Sequence, residues 1–295
     1  MNALILAAGL GERLRPITDS IPKPLLPIVN QRLIDISIQG LSQIGIHRIG
    51  INLFHKHDAI QDHLKKYGDL VHAVVEEELM GTGGALLNFR DFLREDFVLY
   101  SGDVVSDARL KEVVDFHRKN EPVATLLLIK QKGIEFHIGN DNCIERIFWG
   151  EGNGHTYTGI GVFSERVFSL LPQKSAFTIV DLFRNILASN EKIMGLPSVM
   201  QWHNINSPYS YWKIHHDLLF KNLELPESEF DSPIYIAPTS KVETIKLKGF
   251  VSINENCFVN KRVYLENTIV LPDTRITSGN YRNCVLSDQV RMTVA

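Results

Sequence analysis

Residues 4–27 read LILAAGLGERLRPITDSIPKPLLP. The apolar run Leu4-Ile5-Leu6-Ala7-Ala8 is short and bounded by glycine, as a buried strand would be. It empties into Gly9-Leu10-Gly11-Glu12-Arg13-Leu14, followed by Pro16, Thr18 and Pro22-Lys23-Pro24. Glycines let backbone N–H groups approach a phosphate closely, and Arg13 and Lys23 would neutralise its charge. A dinucleotide-binding turn is the competing reading of Gly9-x-Gly11. That turn needs a third glycine for tight helix–strand packing, which is absent here. Pro16, Pro22 and Pro24 also forbid a long helix directly after the loop.

Outward from this stretch, strand and helix signals alternate up to about Lys221. The predicted strands are Leu4–Ala8, Arg48–Leu53, Val71–Val75, Phe97–Ser101 and Val123–Ile129. Between them the spacing predicts helices over Leu33–Ile44, Asp58–Lys66, Gly84–Leu93 and Ala108–Lys119. Such alternation implies an α/β fold with a mostly parallel central sheet, whose ligands sit at the carboxyl ends of the strands. The glycine loop and Gly102-Asp103 both follow strands and belong at one rim. After Glu224 the texture changes. Leu225-Pro226-Glu227-Ser228-Glu229 reads as a linker, and beyond it Val251, Cys257, Val263 and Ile269 recur every six positions, with Ile236 and Val242 at the same spacing and Ile276 one residue out of phase. Asn254, Asn256, Asn260, Asn267, Gly279, Asn280 and Asn283 supply turn residues. A six-residue period predicts a short left-handed parallel β-helix rather than a small sandwich. The domains are therefore set at 1–224 and 233–295.

A hydrophobic content of 44% and a charged content of 22% are those of an ordinary globular chain. The net charge of −3 gives no argument for nucleic acid or a membrane surface as partner. Cys143, Cys257 and Cys284 are odd in number and lack a C-x-x-C, so they read as reduced cysteines of a cytoplasmic protein. The amino-terminal apolar run is too short for a signal or membrane helix.

The string from Ala8 to Pro24 resembles the signature of the sugar-1-phosphate nucleotidyltransferases, Ala-Gly-x-Gly-(acid/Ser/Thr)-Arg-Leu-x-Pro-x-Thr followed by Pro-Lys-Pro. Every one of those positions is matched. The resemblance implies a Rossmann-like GT-A catalytic domain, and the repeats resemble the hexapeptide domain attached to several members. It also implies that Ala8, Gly9, Gly11, Glu12, Arg13 and Lys23 hold the nucleotide phosphates. Glu77-Glu78-Leu79-Met80-Gly81-Thr82-Gly83-Gly84-Ala85-Leu86 resembles the family's base loop, closest to the guanylyl and uridylyl forms. There Gly81, Thr82 and Gly83 would lie against the base and Glu77 would read its edge. A Gly-Thr-Gly-Gly turn opening a helix offers N–H donors and no obstructing side chains; the plainer reading is a helix cap at Thr82.

Leu99-Tyr100-Ser101-Gly102-Asp103 matches the family's metal-binding Gly-Asp, with Asp103 the ligand to Mg²⁺. Asp107 is assigned instead to capping the helix at Ala108. Trp202-His203-Asn204-Ile205-Asn206-Ser207-Pro208 stands where many relatives have Trp-x-Asp-Ile-Gly-Thr-Pro. Asn204 replaces the second metal aspartate, and Asn206 matches an asparagine used by other branches, so either can be the neutral ligand. His155 to Val162 resembles the strand whose Thr158-Gly159 backbone lies along the sugar, with Thr156, Thr158 and Ile160 expected to alternate with Tyr157 and Gly159 as in one regular strand. The usual upstream Glu-Lys-Pro is missing, no lysine occurs between Lys132 and Lys174, and the nearest substitutes for the sugar phosphate are Arg146 and His155.

A sugar 1-phosphate is already ionised, so it attacks the α-phosphorus without a general base, and catalysis is positioning plus charge neutralisation. Arg13 would hold the triphosphate and leaving group. Lys23 would bridge the α-phosphate and the incoming phosphate, and Asp103 would hold Mg²⁺. Guanylyl transfer to mannose 1-phosphate or a related hexose 1-phosphate is the first choice, with uridylyl or thymidylyl transfer and a non-catalytic homologue as alternatives. A glycosyltransferase would need an Asp-x-Asp, and a hexapeptide acyltransferase a histidine in the coil; both are absent, the last histidine being His216. The exposed end of a short coil predicts a homo-oligomer, a dimer in the first instance.

Overall fold

A computed structural model describes residues 1–150, 154–226 and 230–294. Glu227, Ser228 and Glu229 of the predicted linker lie outside the described residues. Two compact units emerge, neither continuous in sequence. The first comprises Met1–Leu10, Ser37–Val104 and Ala108–Trp202, and the second Gly11–Ile36, Val105–Asp107 and His203–Ala295.

The first unit is built on nine strands: β1 (Asn2–Leu6), β2 (Ile49–Leu53), β3 (Val71–Val75), β4 (Phe97–Ser101), β5 (Ala124–Lys130), β6 (Ile134–Ile138), β7 (Ile144–Trp149), β8 (His155–Phe163) and β9 (Ile193–Pro197). Their order is β7-β6-β8-β4-β1-β2-β3, with β5 paired to both β8 and β9. The run β4-β1-β2-β3 is parallel, as the alternation predicted. β8 then enters antiparallel to β4, β5 and β6, a reversal the apolar pattern did not reveal. β1 is fully flanked, which is why Ala3, Leu4 and Ile5 are all solvent-free. The helix Ile179–Ala188 packs Leu182, Phe183 and Ile186 onto one face of the sheet and is closed by a capping box between Thr178 and Asp181.

Two local expectations change. The helix predicted from Ala108 begins at Leu110 with Arg109 in the cap position and no side-chain cap, so Asp107 does not cap it. The predicted helix over Gly84–Leu93 is instead a single helical turn, Gly81–Gly84, followed by a tighter 3₁₀ segment, Ala85–Phe89.

In the second unit one apolar core gathers three distant stretches. Leu14, Ile17, Leu26 and Ile28 come from the signature loop, Tyr211, Ile214 and Leu218 from the helix Pro208–Leu219, and Phe250, Ile269, Leu271 and Val285 from the repeats. That helix starts at Pro208, with Ser207 capping the amide of Ser210. The Tyr211 hydroxyl donates to the Pro27 carbonyl at 2.8 Å, and Trp212 Nε1 donates to Asn267 O at 2.7 Å.

The repeats form short parallel strands that return at intervals of 16 to 18 residues, chiefly 17: Asn256 bonds to Asp273, and Cys257 to Ser240, at 17. Ile234–Ile236, Leu247–Ile253, Val263–Val270 and Cys284–Leu286 stack in one sheet, and Lys241–Val242, Phe258–Val259 and Arg275–Ile276 in another. The spacing falls just short of three six-residue steps, which explains the apolar period. Val251, Cys257, Val263, Ile269 and Ile276 are buried, but Ile236 is 39% exposed and Ile234 takes the inner place. Asn256, Asn267, Asp273 and Asn283 turn corners at positive φ, as turn residues do. Asn254 does not: it is buried and donates to Val270 O at 2.7 Å. The last strand, Arg291–Thr293, runs antiparallel to Cys284–Leu286 and closes that end of the stack.

Candidate functional site

At the carboxyl rim of the first unit, register fixes which residues meet. Leu6 pairs with Asn52 on one side and Ser101 on the other, so the starts of three loops lie level. The Ala7 amide has run out of ladder and donates to Asn52 Oδ1 at 2.8 Å. Ala8 is buried and Gly9 exposed, with open space around it. Gly102 donates to Leu6 O at 2.9 Å, and a Cβ on it would come within 2.9 Å of that same oxygen. Only glycine lets Asp103 leave β4 so close to β1. Asp103 is half-buried, and its Oδ1 accepts a hydrogen bond of 2.7 Å from Ser101.

β8 reaches the same rim through a bulge: its register with β5 shifts between Tyr157 and Gly161. Gly159 sits at φ +85, where a Cβ would stand 2.7 Å from Ser101 Cβ. The Thr158 hydroxyl is buried on Leu127 O at 2.9 Å, so its side chain is committed to the bulge. Trp202 Nε1 donates to Thr158 O at 2.9 Å and clamps the bulge from outside. Simple strand alternation from Thr156 to Ile160 therefore does not hold.

The base loop is shaped by a segment that sequence reading passed over. Gly83 and Gly84 both donate to Phe177 O, at 3.0 and 3.1 Å, and Phe177 N donates to Met80 O. A Cβ on Gly81, Gly83 or Gly84 would approach residues 175–178 within 2.6 to 2.7 Å. Smallness there serves this packing, and the Gly83 and Gly84 amides expected as donors to a base are engaged within the protein. Thr82 is exposed and is not the cap; its hydroxyl accepts from Ile179 N at 3.0 Å. Beside the loop lies a cavity of about 380 Å³ lined by Glu76, Glu77, Glu78, Met80, Asn88 and Ser175. Glu77 is exposed there. Glu76 is 4% exposed and bonded to Asn52 Nδ2 at 2.8 Å.

The two substitutes for the sugar-phosphate lysine are not brought together. Arg146 pairs with His137, whereas Ile147 and His155 both pair with Phe136. Neighbours along a strand point to opposite faces, so Arg146 and His155 lie on opposite sides of the sheet and cannot share one phosphate. Lys130, upstream of the lysine-free stretch 133–173, stands directly opposite His155. Partial burial, reinforced by that lysine, holds the His155 pKa below the ordinary imidazole value.

In the second unit Gly11 adopts φ +68, and a Cβ there would meet Thr18 Cγ2 at 3.0 Å and Lys23 Cβ at 3.3 Å. The Thr18 hydroxyl donates to Gly11 O at 2.9 Å, as does the Leu14 amide. The signature's Gly, Thr and Lys thus form one knot, with Glu12 and Arg13 exposed on its 3₁₀ turn and Leu14 anchored in the core. Asn204 ends a strand, Trp202–Asn204, that pairs with Val104–Ser106. Asn204 Oδ1 and Ser106 Oγ are buried with no hydrogen-bond partner. Asn206 precedes the helix cap, its amide donating to Asn204 O at 2.9 Å and to Ser210 Oγ at 3.0 Å. His203 Nε2 lies 3.3 Å from the buried Asp217 without hydrogen-bond geometry, and burial holds the His203 pKa down against that carboxylate. Among the described residues no cluster of three His, Cys, Asp or Glu side chains could hold a metal. Taken separately, the Asp103 carboxylate and the Asn204 amide oxygen are each hard donors of the kind Mg²⁺ accepts.

Residues 2–135 match the family described as nucleotidyl transferase. The chain is 33% identical to "Probable mannose-1-phosphate guanylyltransferase 3" of Oryza sativa subsp. japonica, over 99% of this chain and 80% of that one. It is 24% identical to "UTP--glucose-1-phosphate uridylyltransferase" of Synechocystis sp., over 95% and 85%. Among solved structures, HddC from Yersinia pseudotuberculosis complexed with GMP-PN superposes with a TM-score of 0.61 at 22% identity, covering 72% of this chain and 97% of that one.

Proposed function

Because the chain belongs to the sugar-1-phosphate nucleotidyltransferases, which join a nucleoside triphosphate and a sugar 1-phosphate into a nucleotide sugar and pyrophosphate, we propose that it transfers a guanylyl group to mannose 1-phosphate or a related hexose 1-phosphate. The observation that carries the choice of base is the cavity beside Met80, lined by Glu76, Glu77 and Glu78, of which Glu77 and Glu78 are exposed. Carboxylates only accept hydrogen bonds. Guanine offers a donor-rich edge, including its exocyclic amine, whereas uracil and thymine set one N–H between two carbonyls that a carboxylate repels. Exposed Glu77 is the residue assigned to read that edge.

Arg13 and Lys23 neutralise the triphosphate and the incoming phosphate, and the turn at Gly11 sets their spacing. Ser101 orients the Asp103 carboxylate. Asp103 and Asn204 would hold Mg²⁺; Asn204 is preferred to Asn206 because its buried oxygen lacks a partner. When bound, the cation polarises the α-phosphoryl oxygen. The Thr158-Gly159 backbone lines the sugar, and Lys130 with His155, rather than Arg146, takes the phosphate. The 17-residue repeats are read as a left-handed β-helix over 233–295, attached to a catalytic domain over 1–224. The whole is read as a cytoplasmic homo-oligomer, the cysteines being free. Pyrophosphate release over a matrix of GTP, UTP, dTTP, ATP and CTP against hexose 1-phosphates tests the reading. Faster turnover with UTP or dTTP than with GTP overturns the guanylyl choice. No release with any pair favours the non-catalytic homologue.

A further inference from the structure

We propose that Asn52 and Glu76 are a positioning pair that locks the glycine-rich loop and the base loop together, so that triphosphate binding depends on both at once. The proposal rests on the nucleotidyl-transfer reading. Neither residue belongs to a motif read from the sequence. Asn52 is 3% exposed and Glu76 4%. Asn52 Oδ1 accepts from the Ala7 amide at 2.8 Å, the last donor before Ala8 and Gly9, and its Nδ2 donates to Glu76 Oε1 at 2.8 Å. Glu76 Oε2 accepts from the Met80 amide at 3.3 Å, immediately before Gly81. The Glu76 backbone is itself held by its amide bond to Leu53 O at 2.8 Å.

A buried carboxylate is an expensive way to join strands, since a well-packed apolar pair usually does so at least as well. What the polar pair adds is reach. Each outer bond ends on a backbone amide that no strand partner can satisfy, and each of those amides opens one of the two ligand loops. Both Glu76 oxygens are taken, so Glu76 acts through the loops rather than on a ligand. Loss of either residue frees one amide and orphans the partner, and both loops loosen together.

The test compares Asn52→Ala, Glu76→Ala and the double variant with wild type in the full chain. Glu76→Gln is included because it keeps the shape and loses one acceptor. Amide hydrogen exchange without substrate is followed over residues 7–10 and 78–82. About tenfold faster exchange in both segments is expected in either alanine variant, with the double variant no worse than the more severe single one, because the pair acts as a unit. Glu76→Gln should loosen 78–82 less than Glu76→Ala does. In steady-state assays with whichever of GTP, UTP or dTTP the wild type uses fastest, KM for the triphosphate should rise by about tenfold. KM for the sugar 1-phosphate should stay within about twofold. Exchange that changes only in the mutated residue's own loop, effects that add in the double variant, or equal rises in both KM values would overturn the proposal. Failure of the wild type to release pyrophosphate from any pair would instead reject nucleotidyl transfer, and the exchange data would still decide the pairing.

Discussion

Gly159→Ala probes the point where the bulge of β8 meets Ser101, the residue hydrogen-bonded to the Asp103 carboxylate. Two costs follow from the geometry. At φ +85 an L-residue is strained by about 1–2 kcal/mol. The new Cβ would also stand 2.7 Å from Ser101 Cβ, whereas carbon atoms rest at about 3.5 Å or more, so Ser101 or the bulge must yield by about 0.8 Å. Overpacking of that kind costs about 1–3 kcal/mol. The sum, about 2–5 kcal/mol, corresponds to a fall in Tm of roughly 5–15 °C for a chain of this size. Function should suffer more than stability. Ser101 carries the hydrogen bond to Asp103, and a displacement near 1 Å at a reacting centre costs about a hundredfold in rate. The assay is a melting curve together with pyrophosphate release over a Mg²⁺ titration. Ser101→Gly in the same chain removes the opposing Cβ, so the double variant should regain Tm while its Mg²⁺ requirement stays raised, the serine hydroxyl being gone. A Gly159→Ala protein with wild-type Tm and activity would refute the packing of the bulge on Ser101, and a double variant that melts no higher than the single one would refute the assigned clash.

Arg13→Ala and Lys23→Ala should each lower turnover by about a hundredfold, with Tm nearly unchanged for the exposed Arg13; full activity in Lys23→Ala would remove that residue from the reaction. Asn204→Asp should tighten Mg²⁺ binding measured by calorimetry with a triphosphate present, because it adds a carboxylate at an oxygen that lacks a partner; tightening absent there, with metal dependence abolished in Asn206→Ala, would shift the ligand to Asn206. Burial holds His215 neutral, its pKa lowered to about 3. Between that value and the unfolded value near 6.5 the unfolded chain binds the extra proton, so stability is full above about pH 6.5 and falls on acidification by up to about 1.4 kcal/mol per pH unit. His215→Leu should flatten that slope in melts from pH 4 to 8, and an unchanged slope would count against it. Light scattering of the full chain at micromolar concentration should give more than the monomer mass. Truncation at Glu229 is a poor test of this, since it would strip Phe250, Ile269, Leu271 and Val285 from the core they share with Leu14 and Ile28.

The sequence alone determined what local chemistry and period encode. Glycine at 9, 11 and 102, the two prolines around Lys23, and short apolar runs between polar loops announced the parallel strands, the glycine-rich loop after β1 and the rim on which Asp103 sits. Period six announced the stacked parallel repeats, because each inward side chain must be apolar. Contacts between residues far apart leave no periodic trace, and those the fold had to supply. Antiparallel β8 and its bulge depend on Gly159 meeting Ser101, and the glycines of the base loop answer to Phe177, nearly a hundred residues on. Arg146 and His155 look equivalent in a string, but strand register sends them to opposite faces. Asn52 and Glu76 sit in ordinary strand-end positions, and only the pairing of β1, β2 and β3 turns them into a buried bridge. The signature loop and the repeats, at opposite ends of the chain, share one core because both had apolar surface to remove from water.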